Sequence, residues 1–283
     1  MSIKERHNAH MLWGQVRFYF RRKEAGAAWL FILIMILTNG ILLVHSMSGS
    51  FVQQAPSLLK VCSIASGRGT AFAFMLVYPL LVVIPTAGAF LHDYNSKELI
   101  YVCSRVTVRK YLYSQLLAGF LVTFCIFTVP FLLEACIYRL VIPAQIMSGD
   151  STGLSMMDVA MYYSKTYFMS GLYDWNEMVY HIVMILIFGG VSGLLAVFNI
   201  SLGYCSFMRK RIFTFVPIYV LLWIIQGLGN ILPITFDTNY ILILQLYENT
   251  SDWNIAWYLA FLAALLLATI CNTEYALHRD IAL

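Results

Sequence analysis

Six stretches of this chain run for 20 residues or more without one aspartate, glutamate, lysine or arginine: 26–45, 70–91, 111–133, 182–208, 212–236 and 253–273. A helix needs about 20 apolar residues to cross the hydrocarbon core of a bilayer, and a continuous uncharged run of that length has few other stable fates. The 283 residues are 60% hydrophobic and 11% charged, whereas a soluble globule carries roughly 25% charged residues to coat its surface. The expected fold class is therefore all-α: a polytopic integral membrane protein, one transmembrane domain over residues 1–283, with six transmembrane helices.

Two other membrane readings fail on pattern. Strands of a transmembrane barrel alternate apolar and polar residues over about ten positions, and these runs are continuous. The first run is too long for the apolar segment of a cleaved signal peptide, and no small-x-small cleavage site follows His45. Basic residues are retained on the cytoplasmic side. With the N-terminus inside, the inner segments hold 14 of the 18 lysines and arginines, and only Lys60, Arg68, Arg139 and Lys165 fall outside. Both termini and the polar stretch 92–110 are expected in the cytoplasm, with 134–181 as an extracellular segment. The net charge of +4 then reads as a topology signal beside acidic lipid headgroups, not as a nucleic-acid footprint.

Before the first run, residues 8–24 suit an amphipathic helix lying in the membrane interface. At helical spacing Leu12, Trp13, Val16, Tyr19 and Phe20 share one face, with Gln15, Arg17, Arg21 and Arg22 opposite and Phe18 among the basic residues. Pro79, Pro85, Pro130 and Pro217 fall inside predicted spans, where each can kink its helix. Small residues in "FGGVSGLLAVFNISLGY" permit close helix approach. The outer segment carries Met147, Met156, Met157, Met161, Met169 and Met178 and a capping-box pair, Ser155 and Asp158. The piece 240–246 is too short to cross and suits a hairpin. The six cysteines show no metal-ligand spacing or disulfide framework.

Several chemistries find no support. "GVSG" at 190–193 looks like the serine motif of rhomboid intramembrane proteases, but the sixth run holds no histidine to act as base. Ion-coupled carriers keep ionisable groups deep in the bundle, while Glu134, Glu274, His45 and His181 all sit at the ends of apolar runs. No selectivity element for a channel is recognisable. No GxxxxGK[ST] phosphate loop occurs, so ATP hydrolysis by that route would belong to another chain.

The stretch "FLHDYNSKELIYVCSRVTVRKYLYSQLL", Phe90 to Leu117, holds charge between two apolar runs. Asn95 can cap a short helix with Glu98 three residues on. Leu99, Ile100, Val102 and Tyr101 then form an apolar and aromatic patch, followed by Arg105, Arg109 and Lys110. Such a patch framed by charge suits docking on a soluble partner.

In this order of parts the chain resembles the permease subunits of type-2 ATP-binding-cassette exporters. The resemblance covers the amphipathic "WGQVRFYFRRKE", six spans, a charged first cytoplasmic loop, the minimal basic loop "RKR" and a hairpin before the last span. It is sharpest from Asp93 to Gln115, and departs from the family at Val106-Thr107, Gln115 and Ser96-Lys97, where Pro, Lys and Gly are common. It implies a bacterial cytoplasmic-membrane permease, not itself an enzyme. Two ATPase subunits carrying ATP and Mg, and a second permease copy or paralogue, complete the complex. Asn95, Glu98, Leu99, Ile100, Tyr101 and Arg105 would couple to the ATPase, and Trp13, Arg17, Arg21 and Arg22 would anchor the elbow helix in membrane lipid. Asn39, Asn199, Gln226 and Asn230 are the candidates for a translocation path. An amphipathic peptide is the favoured substrate, with lipid, drug or glycan as alternatives. A second reading stays open, a non-transporting sensor or immunity scaffold that binds a ligand through the methionine-rich segment.

Overall fold

The computed structural model describes residues 3–48, 62–64, 69–88, 104, 106–141, 168–204, 214–231 and 252–278. Among these the secondary structure is helical, with no strand: α1 (Ile3–Arg21), α2 (Lys23–Ser48), α3 (Gly69–Val83), α4 (Val108–Val141), α5 (Ser170–Trp175), α6 (Glu177–Gly203), α7 (Val216–Ile231) and α8 (Asp252–His278). Four segments are long and apolar enough to cross a bilayer: Lys23–His45, Val108–Leu140, Glu177–Gly203 and Ile255–His278. The chain is a multi-pass membrane protein. The predicted runs 70–91 and 212–236 contribute the shorter apolar helices α3 and α7 among the described residues.

Several predicted boundaries move. α3 stops at Val83, because Pro85 has no N–H to continue the ladder; the chain instead turns through 84–88, with Thr86 and Ala87 both donating to the Val83 carbonyl. Gly88 completes the turn at φ 68°, a conformation that favours glycine. Pro217 lies in the first turn of α7, where a missing N–H costs nothing, so it starts that helix and does not kink it. α4 takes in the predicted span 111–133 and continues to Val141, so that residues 134–141 belong to it and not to a loop. Its 34 residues make a rod of about 51 Å. α6 begins at Glu177 rather than 182, since the Asn176 side chain accepts from the N–H groups of Met178 and Val179 at 2.9 and 3.2 Å. The predicted Ser155 and Asp158 capping pair lies outside the described residues.

α4 and α6 form the centre of the bundle and run antiparallel. Close approach is set by three glycines. A Cβ on Gly119 would overlap Ile200, one on Gly189 would overlap Thr128, and one on Gly193 would meet Phe120 Cδ2 at 2.7 Å and its carbonyl at 3.2 Å. Gly189 and Gly193 are four residues apart and so share one face, the arrangement that lets membrane helices pack backbone against backbone. An aromatic knot then joins α3 to this pair. The ring of Phe188 lies 5.2 Å from Tyr78, 6.0 Å from Phe127, 6.0 Å from Phe131 and 6.4 Å from Phe74, centroid to centroid. Aromatic pairs at such separations prefer tilted or edge-on geometry, as most of these are.

The outer helices show which of their apolar faces meet protein. On α2, Ala25, Ala28, Ile32 and Leu43 are buried, while Leu30, Leu33, Ile34, Leu37 and Ile41 form an exposed stripe. A bilayer is as apolar as leucine, so such a stripe has no need of a protein cover.

Candidate functional site

The coupling candidates Asn95, Glu98, Leu99, Ile100, Tyr101 and Arg105 lie outside the described residues. The polar stretch is described again at Ser104 and from Val106, and its far end enters α4. There Arg109 and Tyr113, one turn apart on one face, converge on a single carboxylate. Arg109 Nη2 donates to Glu274 Oε1 at 2.6 Å and the Tyr113 hydroxyl donates to the same oxygen at 2.8 Å. Glu274 belongs to α8, so the polar stretch is tied to the last helix of the chain.

Two more polar contacts close a triangle at this end of the bundle. The Tyr204 hydroxyl is 3.3 Å from both the Leu112 carbonyl and Gln115 Oε1, joining the end of α6 to the start of α4. Asn272 Nδ2 lies 3.4 Å from Ser201 Oγ, joining α8 to α6. An exposed ion pair adds little stability by itself. Together these directional bonds join α4, α6 and α8 at one level.

Among the residues expected to anchor α1, Trp13, Arg17 and Arg21 are exposed and Arg22 is half-buried. The face directed at the protein is Leu12, Val16 and Tyr19, with Gln15 and Arg22 partly covered; Trp13 and Phe20 turn outward with Arg17, Phe18 and Arg21. The apolar face expected from the spacing thus divides, with Leu12, Val16 and Tyr19 against protein and Trp13 and Phe20 exposed. Arg22 occupies the bend between α1 and α2, where Nη2 donates to the Ala87 carbonyl at 3.0 Å and meets Glu24 Oε1 at 3.3 Å. It thereby joins the start of α2 to the turn that follows α3.

Of the four path candidates, two can be placed against each other, Asn39 and Asn199. Asn39 is buried and donates to Glu134 Oε1 at 3.5 Å. Asn199 is buried beside Ile200, which packs on Gly119, and its Oδ1 has no hydrogen-bond partner among the described residues. Glu134 and Gly119 are separated by about 22 Å along α4, so Asn39 and Asn199 occupy different levels of the bundle. Gln226 is half-buried on α7, and the side chain of Asn230 lies outside the described residues.

Glu134 is the main departure from the sequence reading. In sequence it stands at the end of an apolar run, yet it is 2% exposed, and His181 is fully buried. Three groups donate to Glu134 Oε1: Asn39 Nδ2, the backbone N–H of Ser63 at 2.9 Å and the Ser63 hydroxyl. The Tyr138 hydroxyl, one turn further along α4, also bonds to this carboxyl. Cys62, Ser63 and Ile64 are all buried. Burial, with the negative charges of Glu134 and Glu177 added, pushes the Cys62 thiol well up from its ordinary value. A charge inside "PFLLEACIY" was the available signal, because an ionisable residue in apolar surroundings needs a partner.

Ser192 has a packing role. Its hydroxyl donates to the Phe188 carbonyl at 2.8 Å and lies 2.8 Å from the Tyr78 oxygen, which supplies the other proton. Among the described residues no three of His, Cys, Asp and Glu are grouped so as to hold a metal ion. Compared with protein-family models, with curated proteins and with solved structures, the chain finds no match.

Proposed function

We propose that this chain is the membrane-spanning permease subunit of an ATP-driven exporter, working with separate ATPase subunits and a second permease bundle, and carrying an amphipathic substrate, in first place a peptide. The observation that supports this reading is the bond from Arg109 and Tyr113 to Glu274. The polar stretch between α3 and α4 ends in a contact with α8, and through Tyr204 and Asn272 in contacts with α6. A push applied to that stretch from the cytoplasm would move three spans as one body, as a rigid-body switch requires. The rest rests on the resemblance to type-2 ATP-binding-cassette permeases.

The test is direct. The chain, expressed in membranes with a candidate ATPase of that class, is expected to co-purify with it. Leu99→Asp with Tyr101→Asp should abolish the association while leaving membrane insertion unchanged. Reconstituted together, the two proteins should hydrolyse ATP faster with substrate and accumulate it in inverted vesicles. Association that survives the double substitution overturns the coupling assignment. Ligand binding without hydrolysis or accumulation would favour the sensor scaffold.

A further inference from the structure

We propose that Glu134 is the catch of a latch: its carboxylate seats the turn Cys62–Ile64 between α2 and α4, closing one end of the bundle, and loss of those bonds lets the turn leave its seat. The turn is non-helical backbone buried among apolar helices. Cys62, Ser63 and Ile64 are 4%, 1% and 2% exposed. Such backbone is tolerated at membrane depth only where its polar groups find partners in the protein. The Ser63 N–H finds its partner in Glu134 Oε1, which also takes the Ser63 hydroxyl and Asn39 Nδ2.

Three arguments make this a catch and not a generic polar contact. The donors come from parts of the chain far from α4, Ser63 at a separation of 71 residues and Asn39 at 95, so one oxygen joins three elements. An aliphatic side chain at 134 could fill the same space without the cost of burying a carboxyl group, but would hold the turn by shape alone and leave the Ser63 N–H unsatisfied. Finally, the Tyr138 hydroxyl bonds to the same carboxyl group, so the residue that holds the turn is itself held from its own helix. The latch sits at the opposite end of α4 from Arg109, about 37 Å away along the helix. That is the end the charge count predicts to face outward.

Cys62 provides the readout, because it is part of the seated turn and needs no substrate or partner protein. The full chain is prepared in liposomes with Cys62 as sole cysteine, and its alkylation by N-ethylmaleimide is timed. Glu134→Ala is expected to speed labelling about tenfold, the change that follows from losing two or three hydrogen bonds of the strength found between membrane helices. Ser63→Ala, which leaves the Glu134 carboxyl group in place, should give roughly a threefold rise. That variant separates access from any change in the acidity of the thiol. A second chain keeping only Cys125, half-buried nine residues before Glu134 on α4, should label at the same rate with and without Glu134→Ala.

Unchanged Cys62 labelling in both variants overturns the proposal. So does a parallel rise at Cys125, which would mean that Glu134 holds the whole bundle together and not the turn. If Glu134→Ala does not insert, Glu134→Gln and Ser63→Ala carry the same comparison. Either failure leaves the permease reading untouched, since that reading is tested by association with an ATPase.

Discussion

The guanidinium of Arg109 donates to the carboxylate of Glu274 at 2.6 Å across a separation of 165 residues, fastening the first turn of α4 to the end of α8. Reversing one charge should turn attraction into repulsion, and reversing both should restore it. Arg109→Glu is therefore expected to lower the thermal unfolding midpoint in detergent, and Arg109→Glu with Glu274→Arg to recover most of the loss. The difference should shrink between about 0.1 M and about 1 M salt, as screening weakens exposed pairs. A midpoint indifferent to all three conditions would remove the pair from the account of how α8 is held.

Close packing of α4 on α6 makes two neighbouring glycines unequal. Gly193→Ala would drive a methyl group into the Phe120 ring and carbonyl, while Gly190→Ala meets nothing within 4 Å. The first should destabilise the bundle by about 1–3 kcal/mol, the usual cost of overpacking. The second should stay within about 0.5 kcal/mol of the parent. Unfolding by sodium dodecyl sulfate in mixed micelles compares them. Equal midpoints would mean that the two helices are not this close.

The Tyr78 and Ser192 hydroxyls should respond asymmetrically. Tyr78→Phe removes one interhelical hydrogen bond and leaves Ser192 bonded to Phe188, a loss of about 0.6 kcal/mol. Ser192→Ala strands a buried phenol, at about 1–3 kcal/mol. The same micelle titration ranks the two, and the reverse order would contradict the donor assignment.

Asn176 closes the N-terminus of α6 with its side chain. Asn176→Ala should cost about 1 kcal/mol, concentrated in the first turn. Amide hydrogen exchange should accelerate at Met178 and Val179 and remain slow near Gly193. Uniform acceleration along α6 would show that the cap supports the whole helix.

Much of the architecture was legible because a bilayer imposes a rule that one dimension can express. An uncharged run of 20 residues must satisfy its own backbone, and a helix does so. Four such runs appear as spanning helices with shifted ends, and Gly189 and Gly193 of "FGGVSG" lie where helices touch. Two boundaries trace to single residues, the start of α6 to Asn176 and the end of α3 to Pro85, whose effect depends on a hydrogen bond made or lost.

What the one-dimensional pattern could not decide is which apolar face meets protein and which meets lipid. In water these faces differ in polarity, but in a membrane both are apolar, so periodicity could not assign Trp13 and Phe20 outward while Val16 and Tyr19 face α4. The same holds for Glu134. Along the chain it stands at the edge of an apolar run, and its donors, Ser63 and Asn39, are 71 and 95 residues away. Composition and spacing alone determined that this protein is a set of membrane helices with a polar stretch between two of them. Only the tertiary structure decided that a buried carboxyl group gathers Ser63 and Asn39 near one end of α4 and that an ion pair joins its other end to α8, because each bond needs two groups that the fold, and not the order of residues, brings within 3 Å or so.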